Sequence, residues 1–131
     1  KIEKENYILR TKNSPNKKDI LNRLAYHDFT YLYKFINNKK IKEINIIESK
    51  IGCLSFQIIC QNENYNFKYN LNSDKKYHLF NNNNLNNNLD ALSLMLNSVV
   101  EKKVDLKLNK EISLFSNRLI EKIQEQINIL E

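Results

Sequence analysis

The hydrophobic positions of this chain follow two different spacings. In the first part, apolar residues recur at helical spacing in two stripes, Ile20, Leu21, Leu24 and Ala25, then Tyr31, Leu32, Phe35 and Ile36. The sequence Asn-Ser-Pro precedes the first stripe, with Ser14 placed as an N-cap and Pro15 in the first turn. We therefore predict one helix that begins at Ser14 and Pro15, and a second helix that Asp28 caps.

From Leu54 onward the apolar residues alternate with polar ones, which is the spacing of a half-buried strand. The alternating positions fall in two runs, Leu54, Phe56, Ile58 and Cys60, then Tyr65, Phe67, Tyr69 and Leu71. A third short strand is predicted at Tyr77–Phe80, which makes an antiparallel three-stranded meander. The short segment Asn6–Arg10 fits either a strand or an extended arm.

Helical spacing returns after the asparagine-rich segment Asn81–Asn88, which we predict to be an inserted loop. One helix follows with its stripe at Leu89, Leu92, Leu96 and Val99. The last helix, Glu111–Leu130, has its stripe at Ile112, Phe115, Leu119, Ile123, Ile127 and Leu130. The predicted fold is a single α+β domain over residues 1–131, an antiparallel three-stranded sheet with N-terminal and C-terminal helices packed on one face.

Composition supports one globular core, since 41% of the 131 residues are hydrophobic and 27% are charged. No apolar run approaches the length of a membrane span, so we expect none. Because the chain begins with Lys1 rather than Met, we expect a trimmed product whose targeting segment is out of view.

The net charge of +6 is carried almost entirely by lysine. A basic surface favours acidic partners or nucleic acid. However, the richness in Asn, Ile and Lys is typical of an AT-rich genome and the lysine pairs are scattered, so a solvated exterior explains the charge. The two cysteines make no disulfide framework, and His27 and His78 have no ligand cluster around them. We expect reduced thiols and no bound metal.

The only glycine, Gly52, directly precedes Cys53. Glycine suits a tight turn, so we predict that Cys53 lies in a turn before the first strand and is reachable by solvent beside Lys50. Cys60 shares the apolar face and is predicted to be a core residue. His78 could act as a base for Cys53, but nothing in the sequence places the two together.

The order of these features resembles the SufE family of sulfur acceptors, which activate cysteine desulfurases in iron–sulfur cluster assembly. The similarity rests on "HDFTYLYKFI", on "GCLS" at the position of the family's Gly-Cys-Gln-Ser turn, and on Ser73–Asp74. It continues in "LDALSLMLNSV" and "FSNRLIEKIQEQI". The chain departs from the family at Leu54, where the family has Gln, and at Phe115, where it has Arg.

The resemblance implies that Cys53 accepts sulfur from the persulfide of a pyridoxal-phosphate-dependent, SufS-like cysteine desulfurase and passes it to an iron–sulfur scaffold protein. Gly52 would form the turn that presents this cysteine. The chain would then be an accessory protein with no cofactor of its own and with neither membrane nor nucleic acid as a partner. The implied compartment is a relict plastid stroma or a bacterial cytoplasm.

The alternative is a non-catalytic α+β binding module for RNA or for an acidic or unfolded protein partner. The alternating aromatic residues Tyr65, Phe67 and Tyr69 are similar in spacing to the base-stacking strands of RNA-binding modules. Leu71 continues the same row, and the helices need an apolar face to cover. We therefore predict that these aromatic side chains form the core face of the sheet.

Overall fold

The protein is an α+β domain in a computed structural model, which describes residues 4–36, 39–84 and 106–131. The strands are β1 (Lys4–Asn13), β2 (Ile41–Lys50), β3 (Cys53–Cys60), β4 (Glu63–Asn70), β5 (Asn72–Phe80) and β6 (Asn83–Asn84). A π-helical turn, Ile20–Ala25, leads directly into helix α1 (Tyr26–Ile36), and the last element is helix α2 (Leu106–Leu130).

The strands form one mixed sheet in the order β2-β3-β4-β1-β5-β6, in which β6 has only two residues. Strand β1 lies between β4 and β5, parallel to β4 and antiparallel to β5. The predicted α+β class is confirmed, but the three-stranded antiparallel meander is wrong. The strand that pairs with both β4 and β5 comes from the N-terminus, so those two strands do not pair with each other.

Strand β2 is an edge strand that the sequence pattern did not predict. It pairs with β3 through a two-residue turn, and the pairing is interrupted by two register shifts. Its charged residues and the run Ile46–Ile47 break strict alternation, because each bulge moves the next side chain to the other face. Cys53 therefore begins the third strand of the chain, not the first.

The first helix begins later than predicted. Ser14 donates a backbone hydrogen bond to the carbonyl of Leu71, and its hydroxyl binds the carbonyl of Asn16, so it caps no helix. The helical segment begins at Ile20, after Asp19 in a left-handed conformation with φ 59°. It then continues without a break to Ile36. The prediction that Asp28 caps a second helix is wrong, because Asp28 lies inside this continuous segment and is buried.

The core lies between the helices and one face of the sheet. The predicted alternation is confirmed: the predicted core-face positions of β3 and β4, from Leu54 to Cys60 and from Tyr65 to Tyr69, are all buried. Phe56 stacks on Phe67 with ring centroids 4.7 Å apart, and Phe29 of α1 contacts Phe67 edge-on at 5.4 Å. Strand β1 adds Ile8, opposite Phe67 in the register.

Helix α2 begins at Leu106 and packs against α1, the π-helical turn and the edge strand β2. Leu119, Ile123 and Ile127 of its predicted stripe are buried, whereas Leu130 is 66% exposed, because the last turn extends past the core. Of the predicted loop Asn81–Asn88, the first residues form a turn and β6, with Asn81 and Asn82 at positive φ. The rest of that segment and the predicted helix over 89–99 lie outside the described residues.

Candidate functional site

The hairpin between β2 and β3 holds Cys53, the residue that sequence analysis singled out. Ile51 and Gly52 form its turn, and Gly52 has φ +80°, as expected for the only glycine in a tight turn. A Cβ at Gly52 would lie 2.7 Å from Nδ2 of Asn72, an exposed side chain that can move aside, so the positive φ is what favours glycine here. Gly52 therefore closes the hairpin immediately before Cys53.

Cys53 is half-buried and Cys60 is buried, as predicted for the latter. Cys53 lies in the strand ladder, opposite Lys50 on one side and Asn70 on the other. Its thiol contacts Oδ1 of Asn70 at 3.5 Å and Nδ2 of Asn72 at 3.7 Å. These amide groups do not act as bases, so neither of the two contacts activates the thiol.

Of the two side chains that could activate Cys53, Lys50 lies opposite it in the strand register, whereas His78 is held elsewhere in the sheet. The ammonium group of Lys50 pairs with Glu48 at 3.3 Å. His78 lies on β5, three strands away from β3, and is buried against Asp28 under the helix. The strand alternation directs Cys53 to the other face of the sheet. Cys53 and His78 therefore do not form a nucleophile–base pair.

A buried polar cluster, missed by sequence analysis, joins α1 to three neighbouring strands. Tyr69, Arg10 and His78 form one row across β4, β1 and β5 in the register. All three side chains bind the carboxylate of Asp28. Arg10 Nη2 and His78 Nε2 are each 2.8 Å from Oδ1, and the Tyr69 hydroxyl donates to Oδ2 at 2.7 Å. We call these four residues the Asp28 cluster.

The electrostatics of the Asp28 cluster favour a charged aspartate. Burial alone raises the pKa of Asp28, but the contact with His78 and the positive charge of Arg10 outweigh it and lower the pKa below its ordinary value. Burial and the Asp28 carboxylate raise the pKa of Tyr69 well above its ordinary value. The cluster thus holds a buried ion pair with a neutral phenol hydrogen-bonded to it.

Nε2 of His78 lies within hydrogen-bond distance of both a donor and an acceptor. Nε2 is 2.8 Å from both Arg10 Nη2 and Asp28 Oδ1. It either accepts a hydrogen from Arg10 with its lone pair or donates one to Asp28, and it cannot do both. Asp28 is only 3% exposed, and its two oxygens are occupied by Arg10, His78 and Tyr69, so the cluster fixes α1 on the sheet and leaves no acceptor of Asp28 for a substrate.

The other face of the sheet carries a groove of about 650 Å³. Its lining comes from β1 to β5 and from the turn at Asn82, with no residue of either helix. The outward side chains that shape it are Tyr7, Leu9, Ile47, Asn66, Lys68 and Leu79. Tyr7 is 58% exposed and Ile47 is 66% exposed. This open sheet face therefore combines apolar and aromatic surface with one lysine and one glutamate, Lys68 and Glu48.

The aromatic residues divide between the two faces of the sheet. Tyr65, Phe67 and Tyr69 are buried on the helix side, which confirms the predicted core face. Tyr7 on β1 and Tyr77 on β5, which is 41% exposed, lie on the open face by strand alternation. The sequence pattern leaves Asn6–Arg10 open between a strand and an extended arm and places Tyr77 at the start of a short strand, so it assigns neither ring to a face of the sheet.

Membrane spans and metal sites are absent from the part of the chain that the structure describes. Neither helix there is both long and apolar enough to cross a membrane. No group of three or more His, Cys, Asp or Glu residues within 4–36, 39–84 and 106–131 is placed to hold a metal ion. The open sheet face and the hairpin at Cys53 are the remaining candidates.

Comparison of the chain with models of known protein families, with curated protein sequences and with solved structures found no match in any of the three.

Proposed function

We propose that the protein is a non-catalytic binding module whose open sheet face binds single-stranded RNA. One observation carries the proposal: Tyr7, 58% exposed, lies on a strand with a neighbour on each side, in the groove on the face opposite the helices. An aromatic ring that stays exposed on an interior strand keeps its apolar surface in water and adds no buried area to the core. Such a ring is suited to stacking on a base.

The surroundings of Tyr7 fit a flexible polyanion. Lys68, exposed on β4, projects into the groove and can pair with a phosphate. The carboxylate of Glu48 on the groove wall is already paired with Lys50. Leu9 and Leu79 lie side by side between Tyr7 and Tyr77 and give an apolar floor for an unstacked base. A net charge of +6 adds long-range attraction for RNA.

Replacing Tyr7 by alanine is expected to weaken RNA binding about tenfold, because stacking of one base on an aromatic ring contributes about 1 to 3 kcal/mol. Tyr7→Phe keeps the ring and should bind like the wild type. The measurement is fluorescence anisotropy with a labelled single-stranded oligouridine. Affinity should also fall as salt concentration rises, because bound phosphates release counterions.

Ile51→Ala is the matched control, since Ile51 is 82% exposed at the hairpin turn and outside the groove. It should leave the affinity unchanged. If Tyr7→Ala binds as tightly as the wild type, or if the wild type shows no salt-dependent binding, the open sheet face is not an RNA site.

The sulfur-acceptor hypothesis is the second candidate, supported by a half-buried Cys53 directly after the Gly52 turn. The proposed step is thiol exchange. The Cys53 thiolate would attack the outer sulfur of the desulfurase persulfide, forming a new S–S bond while the old one breaks and the desulfurase thiolate leaves. We place it second because Cys53 lies within the strand ladder and its thiol is hydrogen-bonded to the amide side chains of Asn70 and Asn72. A relict plastid stroma or a bacterial cytoplasm would be its compartment.

This hypothesis has a test of its own. With free cysteine and the cognate desulfurase, the wild type should speed sulfide release and gain one sulfur atom that maps to Cys53 by mass spectrometry. Cys53→Ser should abolish both effects, because only this thiol is reachable. Cys60→Ser is the control, since Cys60 is buried. Equal stimulation by wild type and Cys53→Ser would reject the sulfur-acceptor function and would leave RNA binding untouched.

A further inference from the structure

Two tyrosine rings on the open sheet face lie on backbone segments that other residues hold in place. The N–H of Tyr7 donates to Oδ1 of Asn81 at 2.7 Å, and the carbonyl of Tyr7 accepts the N–H of Asn81 at 2.9 Å. Tyr77 pairs with Thr11 in the register, and the Thr11 hydroxyl donates to the carbonyl of Lys75 at 2.8 Å. The rings are 58% and 41% exposed on fixed backbone, which lowers the ordering cost of binding a ligand.

The register sets the spacing of the two rings. Leu9 pairs with Leu79, Tyr7 lies two residues before Leu9 on β1, and Tyr77 lies two residues before Leu79 on the antiparallel strand β5. The register runs without a shift from Ile8 to Thr11. A strand rise of about 3.4 Å per residue and a strand separation of about 4.8 Å place the two tyrosine α-carbons about 14 Å apart. The pair Leu9 and Leu79, which we call the middle platform, lies halfway between them.

Three apolar platforms in succession match three nucleotides whose bases are splayed apart. Stacked bases follow one another at about 3.4 Å along a strand. Neighbouring platforms are about 7 Å apart along the strands, so bases that each occupy one platform are not stacked on one another. Single-stranded RNA presents its bases to protein side chains in this splayed form. The two tyrosines offer π faces for stacking, whereas the middle platform offers only an aliphatic surface.

Charged side chains mark where the phosphates run. Lys68 is the register partner of Leu9 and lines the groove on this face, which we call the RNA groove, so it lies beside the middle platform. Glu5, two residues before Tyr7, accepts a hydrogen bond from the side chain of Asn66 at 2.7 Å. A carboxylate at that end repels phosphate. The nucleotides therefore extend from Tyr7 across the middle platform and away from Glu5.

We propose that the open sheet face binds three consecutive nucleotides of single-stranded RNA, with the outer bases stacked on Tyr7 and Tyr77 and the central base on the middle platform. This three-nucleotide site rests on the proposed RNA binding, and it adds the length of the ligand and a second stacking residue. Lys68 pairs with a phosphate of the central nucleotide.

Short oligouridines measure the length of the site, in competition with the labelled oligouridine followed by fluorescence anisotropy at low salt. A trinucleotide reaches both rings, whereas a dinucleotide reaches one ring and the middle platform. Tyr77→Ala should therefore weaken trinucleotide binding about tenfold. It should weaken dinucleotide binding only slightly, because the dinucleotide shifts to Tyr7, and this retained binding shows that the variant is folded. Tyr77→Phe keeps the ring and should bind both like the wild type.

Trinucleotides with one abasic position test the order of the platforms. Removing an outer base removes one stacking contact, so the affinity should fall about tenfold. Removing the central base should cost less, because the middle platform has no π face. A larger loss for the central base than for either outer base would overturn the proposed order.

Leu114→Ala is the control on the helix side of the protein, since Leu114 of α2 is 47% exposed, and it should bind the trinucleotide like the wild type. If Tyr7→Ala weakens trinucleotide binding and Tyr77→Ala does not, the three-nucleotide site is rejected and the RNA groove stands. If the wild type binds none of the oligouridines, RNA binding itself is rejected and the three-nucleotide site with it. The two failures are therefore distinguishable.

Discussion

Asp28→Asn is expected to lower the free energy of unfolding by about 3 kcal/mol or more, since removing one partner of a buried ion pair leaves the other charge uncompensated. Arg10 would keep its positive charge under the helix with no carboxylate beside it. Asparagine keeps only one acceptor oxygen, so either the Tyr69 hydroxyl at Oδ2 or the Arg10 and His78 nitrogens at Oδ1 would face an amide NH₂ group instead. The total free energy of unfolding of a domain of this size is about 5 to 15 kcal/mol, so the loss is a large fraction of it.

The ion pair of Asp28 and Arg10 predicts that the free energy of unfolding falls as the pH is lowered. The pKa of Asp28 is lower in the folded state than its ordinary value, so the folded protein binds fewer protons there than the unfolded chain. Its contribution to stability is therefore present above the unfolded pKa of about 4 and is lost as the pH falls through the folded value. The stability difference between wild type and Asp28→Asn should narrow on acidification.

Urea unfolding at a series of pH values measures both effects. Asp74→Asn is the control, because Asp74 is exposed on β5 and its replacement should change stability by no more than about 0.5 kcal/mol. A loss below about 1 kcal/mol for Asp28→Asn, or a difference from wild type that stays constant down to about pH 3, would show that the cluster does not hold α1 on the sheet.

The importance of Asp28 shows where sequence reasoning reached its limit. Its position in "HDF" before a run of helical spacing suggested a cap, because Asp is a common N-cap residue. Yet Leu24, Asp28 and Leu32 are each four residues apart, which places Asp28 on the buried stripe of one continuous helix. A charged residue on such a stripe needs buried partners, and these come from strands distant in sequence. Only the sheet register shows which residues they are.

The strands also differ in how clearly the sequence predicts them. The alternation from Leu54 to Leu71 predicted β3 and β4, because each has one fully buried face and the period of two is uninterrupted. Strand β1 also alternates, but its inward positions include Asn6 and Arg10, whose polar side chains hide the pattern. Burial of Asn6 is possible because its side chain donates to Glu63 and to the carbonyl of Asn64. Such partners cannot be deduced before the topology is known.

The candidate site was predicted in part. The Gly52 turn and the burial of Cys60 followed from local rules, since a single glycine and a period of two need no tertiary information. The pairing of Cys53 with Asn70 did not follow, because it depends on the register of β3 with β4. The open sheet face could not be predicted either, since a face is open only in relation to where the helices pack.

Phe67→Ala is expected to lower the free energy of unfolding by about 3 to 5 kcal/mol, the usual cost of truncating a buried phenylalanine. Phe67 is 2% exposed and lies between Phe56 and Phe29, so its removal leaves a cavity at the contact of sheet and helix. Phe67→Leu keeps much of the volume and should lose less than the alanine variant. Urea unfolding followed by circular dichroism is the measurement.

The neighbouring residue supplies the control and links stability to function. Lys68 is the next residue of β4, but it points to the open sheet face and is exposed. Lys68→Ala should leave stability within about 0.5 kcal/mol. It should also weaken oligouridine binding and make its salt dependence shallower, because one phosphate contact is lost. If Lys68→Ala destabilised the fold as much as Phe67→Ala, the two faces of β4 would not have separate roles. The RNA groove would then be part of the core.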